Sequence, residues 1–146
     1  MVDNYVRIAI VTGATSGIGE ATVRKFISAG FGVIGNGRNA AKLAEMEREI
    51  GPAFSGAAGD AADDTVLVNL FATASDRFGK AVDIVVANAG RGLGGSIKDA
   101  DLSQFDNLLK INVTGTLSLL QKAAQKIVAI QQNVFPKKEA DIVIIG

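Results

Sequence analysis

A chain of 146 residues is long enough for one domain with a core of its own and too short for two ordinary ones. With no Cys, no His, no Trp and a single Tyr, disulfide scaffolds, thiol nucleophiles, zinc sites built on His or Cys and every His-based triad are excluded. Its 15 basic and 15 acidic residues cancel and are scattered, which argues against a nucleic-acid footprint or an anionic membrane surface, and its 17 glycines, about 12% of the chain against a typical ~7%, require a backbone explanation.

The opening segment Met1-Val2-Asp3-Asn4-Tyr5-Val6-Arg7 has no basic stretch followed by a long apolar one. No later window approaches the ~18 consecutive apolar residues of a membrane span, so a soluble, cytosolic protein is expected. Residues 6–12 predict a first strand, apolar enough to be covered on both faces. A helix is expected over 18–29, with Ile18, Val23, Phe26 and Ile27 on one face and Gly30 at its end. A second strand follows over 31–36, and Asn39 is placed to cap a helix over 40–50 that Gly51-Pro52 closes. Residues 53–58 form a weaker third strand. Asp63 or Asp64 then caps a helix carrying Val66, Leu67, Leu70, Phe71, Ala74 and Phe78 at helical period, ended by Gly79.

Residues 82–87 predict a fourth strand and 88–102 a glycine-rich loop. Ser103 is expected to open the longest helix, to about residue 130, with Phe105, Leu109, Thr116, Leu120, Ala123 and Ile127 on one stripe. Residues 142–146 give a fifth strand. Five strands alternating with four helices, without internal repeats or low-complexity linkers, predict an α/β fold with a doubly wound parallel sheet, a Rossmann fold.

Where the first strand meets the first helix the chain reads Thr12-Gly13-Ala14-Thr15-Ser16-Gly17-Ile18-Gly19. Glycines there permit a sharp turn, let the backbone approach a pyrophosphate and let helix and strand pack closely, while the helix start directs free N–H groups at the anion. The spacing is wider than G-x-G-x-x-G, and without a Lys after Gly19 it is no Walker loop. The second strand ends in Gly35-Asn36-Gly37-Arg38-Asn39, with no carboxylate to accept a ribose 2′-hydroxyl and with Arg38 available for a phosphate. NADP(H) is favoured over NAD(H). Asp60 lies at a strand's C-terminal end, where such sheets bind ligands, and reads equally as a turn cap beside Asp63 and Asp64. Asn88 can tie strand ends together through its amide. Asn112 falls between Leu109 and Thr116 on the expected apolar stripe, where a polar side chain must be hydrogen-bonded.

The Thr-Gly-x-x-x-Gly-x-Gly turn resembles the cofactor loop of the short-chain dehydrogenase/reductase family. Gly59-Asp60-Ala61 is similar to the family's adenine-contacting Asp segment, and Ala87-Asn88-Ala89-Gly90 resembles its Asn-Asn-Ala-Gly motif with Ala in the first place. Asn112, in Lys110-Ile111-Asn112-Val113, is similar to the helix Asn of its Asn-Ser-Tyr-Lys tetrad. The resemblance implies that Gly13, Thr15, Ser16, Gly17, Ile18 and Gly19 hold pyrophosphate and adenosine ribose. It implies further that Arg38 takes the 2′-phosphate, Asp60 and Ala61 the adenine, and Asn88, Ala89, Gly90 and Ile111 the wall near the nicotinamide ribose. Asn112 would act in catalysis through an exposed main-chain carbonyl and an ordered water.

The family's Tyr-x-x-x-Lys pair and its Ser have no counterpart here. Tyr5 precedes the first strand and has Ala9 four residues on. The Ser is expected about one residue past Gly146, and an apolar fifth strand left uncovered at a sheet edge is unusual. The chain is therefore expected to be the cofactor-binding portion, incomplete and inactive alone, of an NADP-dependent enzyme acting on a small carbonyl or alcohol substrate. The alternatives are a dinucleotide-binding module or partner subunit without catalysis, and a Rossmann-like transferase, which the replacement of the ribose-binding acid by Arg38 disfavours. No metal is implied. The resemblance also implies a homo-oligomer, dimer or tetramer, with Leu117, Leu119 and Val128 on a second buried face.

Overall fold

The computed structural model describes residues 4–132 and 138–146; residues 1–3 of the opening segment lie outside them. Strands β1 (Ile8–Thr12), β2 (Gly32–Gly37), β3 (Phe54–Ala58), β4 (Ile84–Ala87) and β5 (Asp141–Ile144) form one parallel sheet in the order β3-β2-β1-β4-β5. Ile10 stands opposite Ile34 on one side and Val85 on the other. All five residues of β1 are buried because helices cover both faces. Helices α1 (Gly17–Ser28) and α2 (Ala40–Ile50) cover one face, where Val23, Leu43 and Met46 pack on Val11, Val33 and Phe54. Helix α3 (Asp64–Phe78) and a later helix α5 (Thr116–Gln131) cover the other, with Leu67, Leu70 and Leu119 against Ile10, Ile34 and Val85. The sheet is doubly wound, as expected. No helix among the described residues is long and apolar enough to cross a membrane.

The caps act locally as the side-chain chemistry predicts. Asn39 accepts a hydrogen bond from the Lys42 N–H at 3.0 Å and opens α2. Of the two aspartates before α3 it is Asp63 that caps, accepting from the Thr65 N–H at 2.8 Å. Asp64 instead reaches α5, accepting from Ser118 Oγ at 2.8 Å and from Lys122 Nζ. Gly79 ends α3 in the left-handed region at φ 62°.

Four expectations are corrected. β1 begins at Ile8, because the Val6 N–H turns away to donate to the Gly30 carbonyl. β4 begins at Ile84, and at its foot the Asp83 carboxylate accepts from the Ile8 N–H at 2.9 Å. Ile18 is 61% exposed and does not share the buried face of α1 with Val23. The largest correction concerns the long helix. It is divided into a 3-10 turn (Leu102–Gln104), a short helix α4 (Phe105–Leu109), a π turn (Lys110–Gly115) and α5. Its cap is Asp101, whose carboxylate accepts from both the N–H and the Oγ of Ser103.

A π turn takes in one extra residue, so the helix after it is rotated relative to an unbroken α-helix. The buried line accordingly runs Ile111, Gly115, Leu119, Ala123, while Phe105 and Leu109 are exposed. Leu119, expected on an outer face, is 2% exposed and sits in the core, while Leu117 and Val128 stay outside. At the sheet edge, the apolar side chains of Ile142, Val143, Ile144 and Ile145 are exposed.

Two measurements check this packing. In urea unfolding of the full-length protein, Leu119→Ala should cost about 2–5 kcal/mol, as for a buried leucine, and Leu117→Ala within about 0.5 kcal/mol; a similarly small cost at both positions would restore the unbroken stripe, which leaves both outside. The bonds from Lys122 and Ser118 hold the Asp64 carboxyl below the usual carboxylate range. A depressed folded pKa gives stability that is present above the unfolded value and lost as pH falls through the folded one. Asp64→Asn should therefore melt below the parent near neutral pH, and the gap should close below about pH 4.

Candidate functional site: the cleft at the strand ends

The chain leaves β1 toward one edge of the sheet and β4 toward the other, so their adjacent C-terminal ends form the crevice in which such sheets bind ligands. Two side chains knit these ends together. The Asn88 amide Nδ2 donates to the carbonyls of Thr12 at 3.1 Å and Gly13 at 3.2 Å. The buried Thr12 Oγ1 accepts from the N–H groups of Asn88 at 3.1 Å and Ala89 at 3.0 Å. Gly19, in the first turn of α1, packs against this knot so closely that a Cβ there would lie 1.9 Å from the Gly13 carbonyl oxygen.

Helix α1 opens without a side-chain cap: Ser16 is extended, at φ −161°, and makes no capping bond. Gly17 follows at φ 53°, where a side chain is strained, yet a Cβ there would meet nothing within 4 Å. The helix start thus faces open space with the N–H groups of its first turn free of any side-chain cap. That is the arrangement an anion requires.

The cleft in front of this turn has a volume of about 150 Å³. It brings together Gly13, Thr15, Ser16, Arg38, Asp60 and Ala61, and its wall also includes Asn36, Ala89, Gly90, Arg91 and Ile111. Gly17, Ile18, Gly19, Asn88 and Asn112 do not line it. Asn88 and Gly19 lie beneath it as supports, and Ile18 projects outward. Arg38 is exposed and forms no ion pair among the described residues. The neighbouring Gly37 is backed by Thr15, whose Cγ2 would stand 2.7 Å from a Cβ on that glycine. A longer residue at this strand end must displace Thr15.

Asp60 serves its own turn, its Oδ1 accepting from the Ala62 N–H at 2.9 Å, while it also borders the cleft. The turn-cap reading of this residue is the one its hydrogen bond shows. Asn112 lies in the π turn, and its amide grips the backbone of Arg91 from both sides. Its Oδ1 accepts from the Arg91 N–H at 2.8 Å and its Nδ2 donates to the Arg91 carbonyl at 2.7 Å. This satisfies the amide off the buried stripe rather than on it.

Sequence reasoning did not single out Asn36. It is 1% exposed within β2, and its Nδ2 donates to the carbonyls of Ala57 at 3.0 Å and Gly59 at 3.2 Å, which fixes the approach to Asp60. Its Oδ1 is buried with no hydrogen-bond partner among the described residues. The signal was present: an amide at the same strand parity as the core residue Ile34 has to be paired or used. Tyr5, by contrast, is remote from the crevice, its ring edge-on to Phe78 with centroids 5.1 Å apart. A cavity of about 570 Å³ also lies at the opposite, N-terminal ends of the strands beside Arg7 and Asp83. It shares no residue with the glycine turn.

The family model described as short chain dehydrogenase matches residues 7–146. The serine 3-dehydrogenase of Agrobacterium fabrum (strain C58) is 39% identical over 111 residues, which are 75% of this chain and 44% of that protein. Among solved structures, the 3-ketoacyl-(acyl-carrier-protein) reductase of Brucella melitensis complexed with NADH is similar with a TM-score of 0.85 at 28% identity, over 96% of this chain and 57% of that one. The closed form of a serine dehydrogenase complexed with NADP+ is similar with a TM-score of 0.82 at 28% identity, over 95% of this chain and 53% of that one. The chain spans about half the length of the curated relatives it matches. With the glycine turn, the Asn88 knot and the Asn112 turn all in one doubly wound α/β fold, the match over residues 7–146 means that this chain belongs to the short-chain dehydrogenase family.

Proposed function

We propose that this chain supplies the dinucleotide-binding half of an oxidoreductase that uses NADP(H) and acts on a carbonyl or secondary-alcohol substrate. The cofactor would supply a hydride acceptor or donor: an alcohol carbon loses hydride to it and the hydroxyl loses a proton, or the reverse. The residues of the chain bind and orient. The open start of α1 at Ser16 and Gly17 receives the pyrophosphate through backbone N–H groups, and Asn88 keeps that turn in place by holding the Gly13 carbonyl. Asp60 and Ala61 meet the adenine. A π turn interrupts the ordinary i→i−4 ladder. This supports a role for the segment around Asn112 in freeing a main-chain carbonyl for a water that carries the substrate proton.

The single observation that carries the cofactor choice is the end of β2. The Arg38 guanidinium, which forms no ion pair among the described residues, borders the cleft, and Gly37 beside it has no room for a ribose-binding acid without moving Thr15. Relatives bind either form of the dinucleotide, so the choice rests on these residues. Pairing into dimers or tetramers is part of the same proposal, supported by the exposed Leu117 and Val128 on α5.

Fluorescence titration of the full-length protein tests the reading. NADPH should bind more tightly than NADH, and Arg38→Ala should weaken NADPH about ten- to a hundredfold, as expected for ~1.5–3 kcal/mol from a charge-assisted hydrogen bond, and leave NADH unchanged. Equal affinities, or no loss in the variant, would refute it. Gly17→Ala gives an independent check on the pyrophosphate. Its stability cost should stay near 1–2 kcal/mol, because only the positive φ opposes it, while affinity for both dinucleotides falls about tenfold or more. Unchanged affinity would show that nothing docks in front of that turn.

A further inference from the structure

We propose that Arg91 is a second arginine of the cofactor cleft, with its guanidinium lying against the face of the adenine ring. The inference rests on the dinucleotide reading above, with adenine at Asp60 and Ala61. It starts from where the chain goes after β4. In the strand order, β4 is separated from β3 by two strands, and β3 leads into Asp60. Yet Arg91 lines the cleft together with Asp60 and Ala61, and it also borders an adjoining hollow of about 460 Å³ shared with Asp60, Asp63, Asn107 and Lys110. Beyond Gly90 the backbone thus sits on the adenine side of the crevice. The position is not incidental, because both backbone polar groups of Arg91 are bonded to the Asn112 amide.

The side chain of Arg91 is exposed, and no hydrogen bond or ion pair engages it among the described residues. Arg7, Arg24 and Arg77 differ in this respect: they are held by Asp141, by Glu20 with Glu49, and by the Pro52 carbonyl. A guanidinium recognises either an anion or the face of a π system. The anions have other places, the pyrophosphate at Ser16 and Gly17 and the 2′-phosphate at Arg38. What remains beside Asp60 and Ala61 is a flat base, with the Ala61 methyl beneath it, a carboxylate at its edge and a planar cation for its open face. An arginine here grips the part of the cofactor that NADH and NADPH share, while Arg38 addresses the part they do not.

Calorimetric titration of the full-length protein distinguishes the two roles. In Arg91→Ala the dissociation constants of NADPH, NADH and 5′-AMP should rise by a common factor of about three to ten, the range expected for a cation–π contact. Arg91→Lys should recover less than half of that loss, since an ammonium has no plane to stack. A loss confined to NADPH would mean a phosphate contact, and full recovery with Lys would mean charge alone; either overturns the proposal, as does unchanged binding of all three ligands. Failure of the parent protein to bind any of them would overturn the dinucleotide reading itself. A loss of NADPH preference with the common Arg91 factor intact would overturn only the role of Arg38. Arg91 is exposed, so its variants should keep the parent melting temperature, which separates a binding defect from misfolding.

Discussion

At the centre of the crevice, a carboxamide and a hydroxyl join two strands that the chain visits more than seventy residues apart. Asn88 takes the carbonyls of Thr12 and Gly13, and Thr12 takes the N–H groups of Asn88 and Ala89. These groups stand where β1 and β4 have run out of ladder partners, so without the side chains several backbone dipoles would lie partly buried and unpaired, at a cost of about 1–3 kcal/mol each. The turn that follows β1 inherits its position from this exchange. Because the Gly13 carbonyl is pinned, α1 can start only where its first turn clears that oxygen, and only a residue without a Cβ clears it at position 19. The direction of α1, and with it the field at its open end, follows from one amide.

A second carboxamide does comparable work along β2. Asn36 spans from the strand to the carbonyls of Ala57 and Gly59, so the end of β3 and the turn into Asp60 are fixed from their neighbour. A third, Asn112, holds the backbone at Arg91. Each amide offers both a donor and an acceptor. In a chain without His or Cys, that two-sidedness organises the loops at the strand ends, and charge is left for the cleft surface at Arg38, Asp60 and Arg91.

The strand and helix order was legible because each element carries its own local evidence: a continuous apolar run in β1, an Asn cap at α2, a glycine stop at α3. The glycine turn was legible for the same reason. Its requirements are backbone requirements, and they fall within eight consecutive residues. What escaped were features settled by tertiary contact. Leu119 and Leu120 are equally apolar, and the extra residue of the π turn bears on which is fully buried and which only packs half-buried at the core's margin. Ile18 looks like a core residue by composition but stands outside, where the turn has already rotated it away. Arg91 reads as one charge in a flexible glycine-rich loop until the bonds to an Asn twenty-one residues on are seen. Asp63 and Asp64 are indistinguishable by type, and the difference between cap and cross-helix tether depends on where α5 lies.

One contact gives the assembly a mechanical property. Gly115, where the π turn passes into α5, lies against the loop after β3 with no slack: a Cβ there would stand 2.7 Å from the Ala61 carbonyl oxygen. Close-packed surfaces at that distance transmit displacement instead of absorbing it. Asp64 also ties the same stretch of chain to Ser118 and Lys122, so the start of α5 and the floor of the cleft are joined by a close-packed contact and two side-chain bonds.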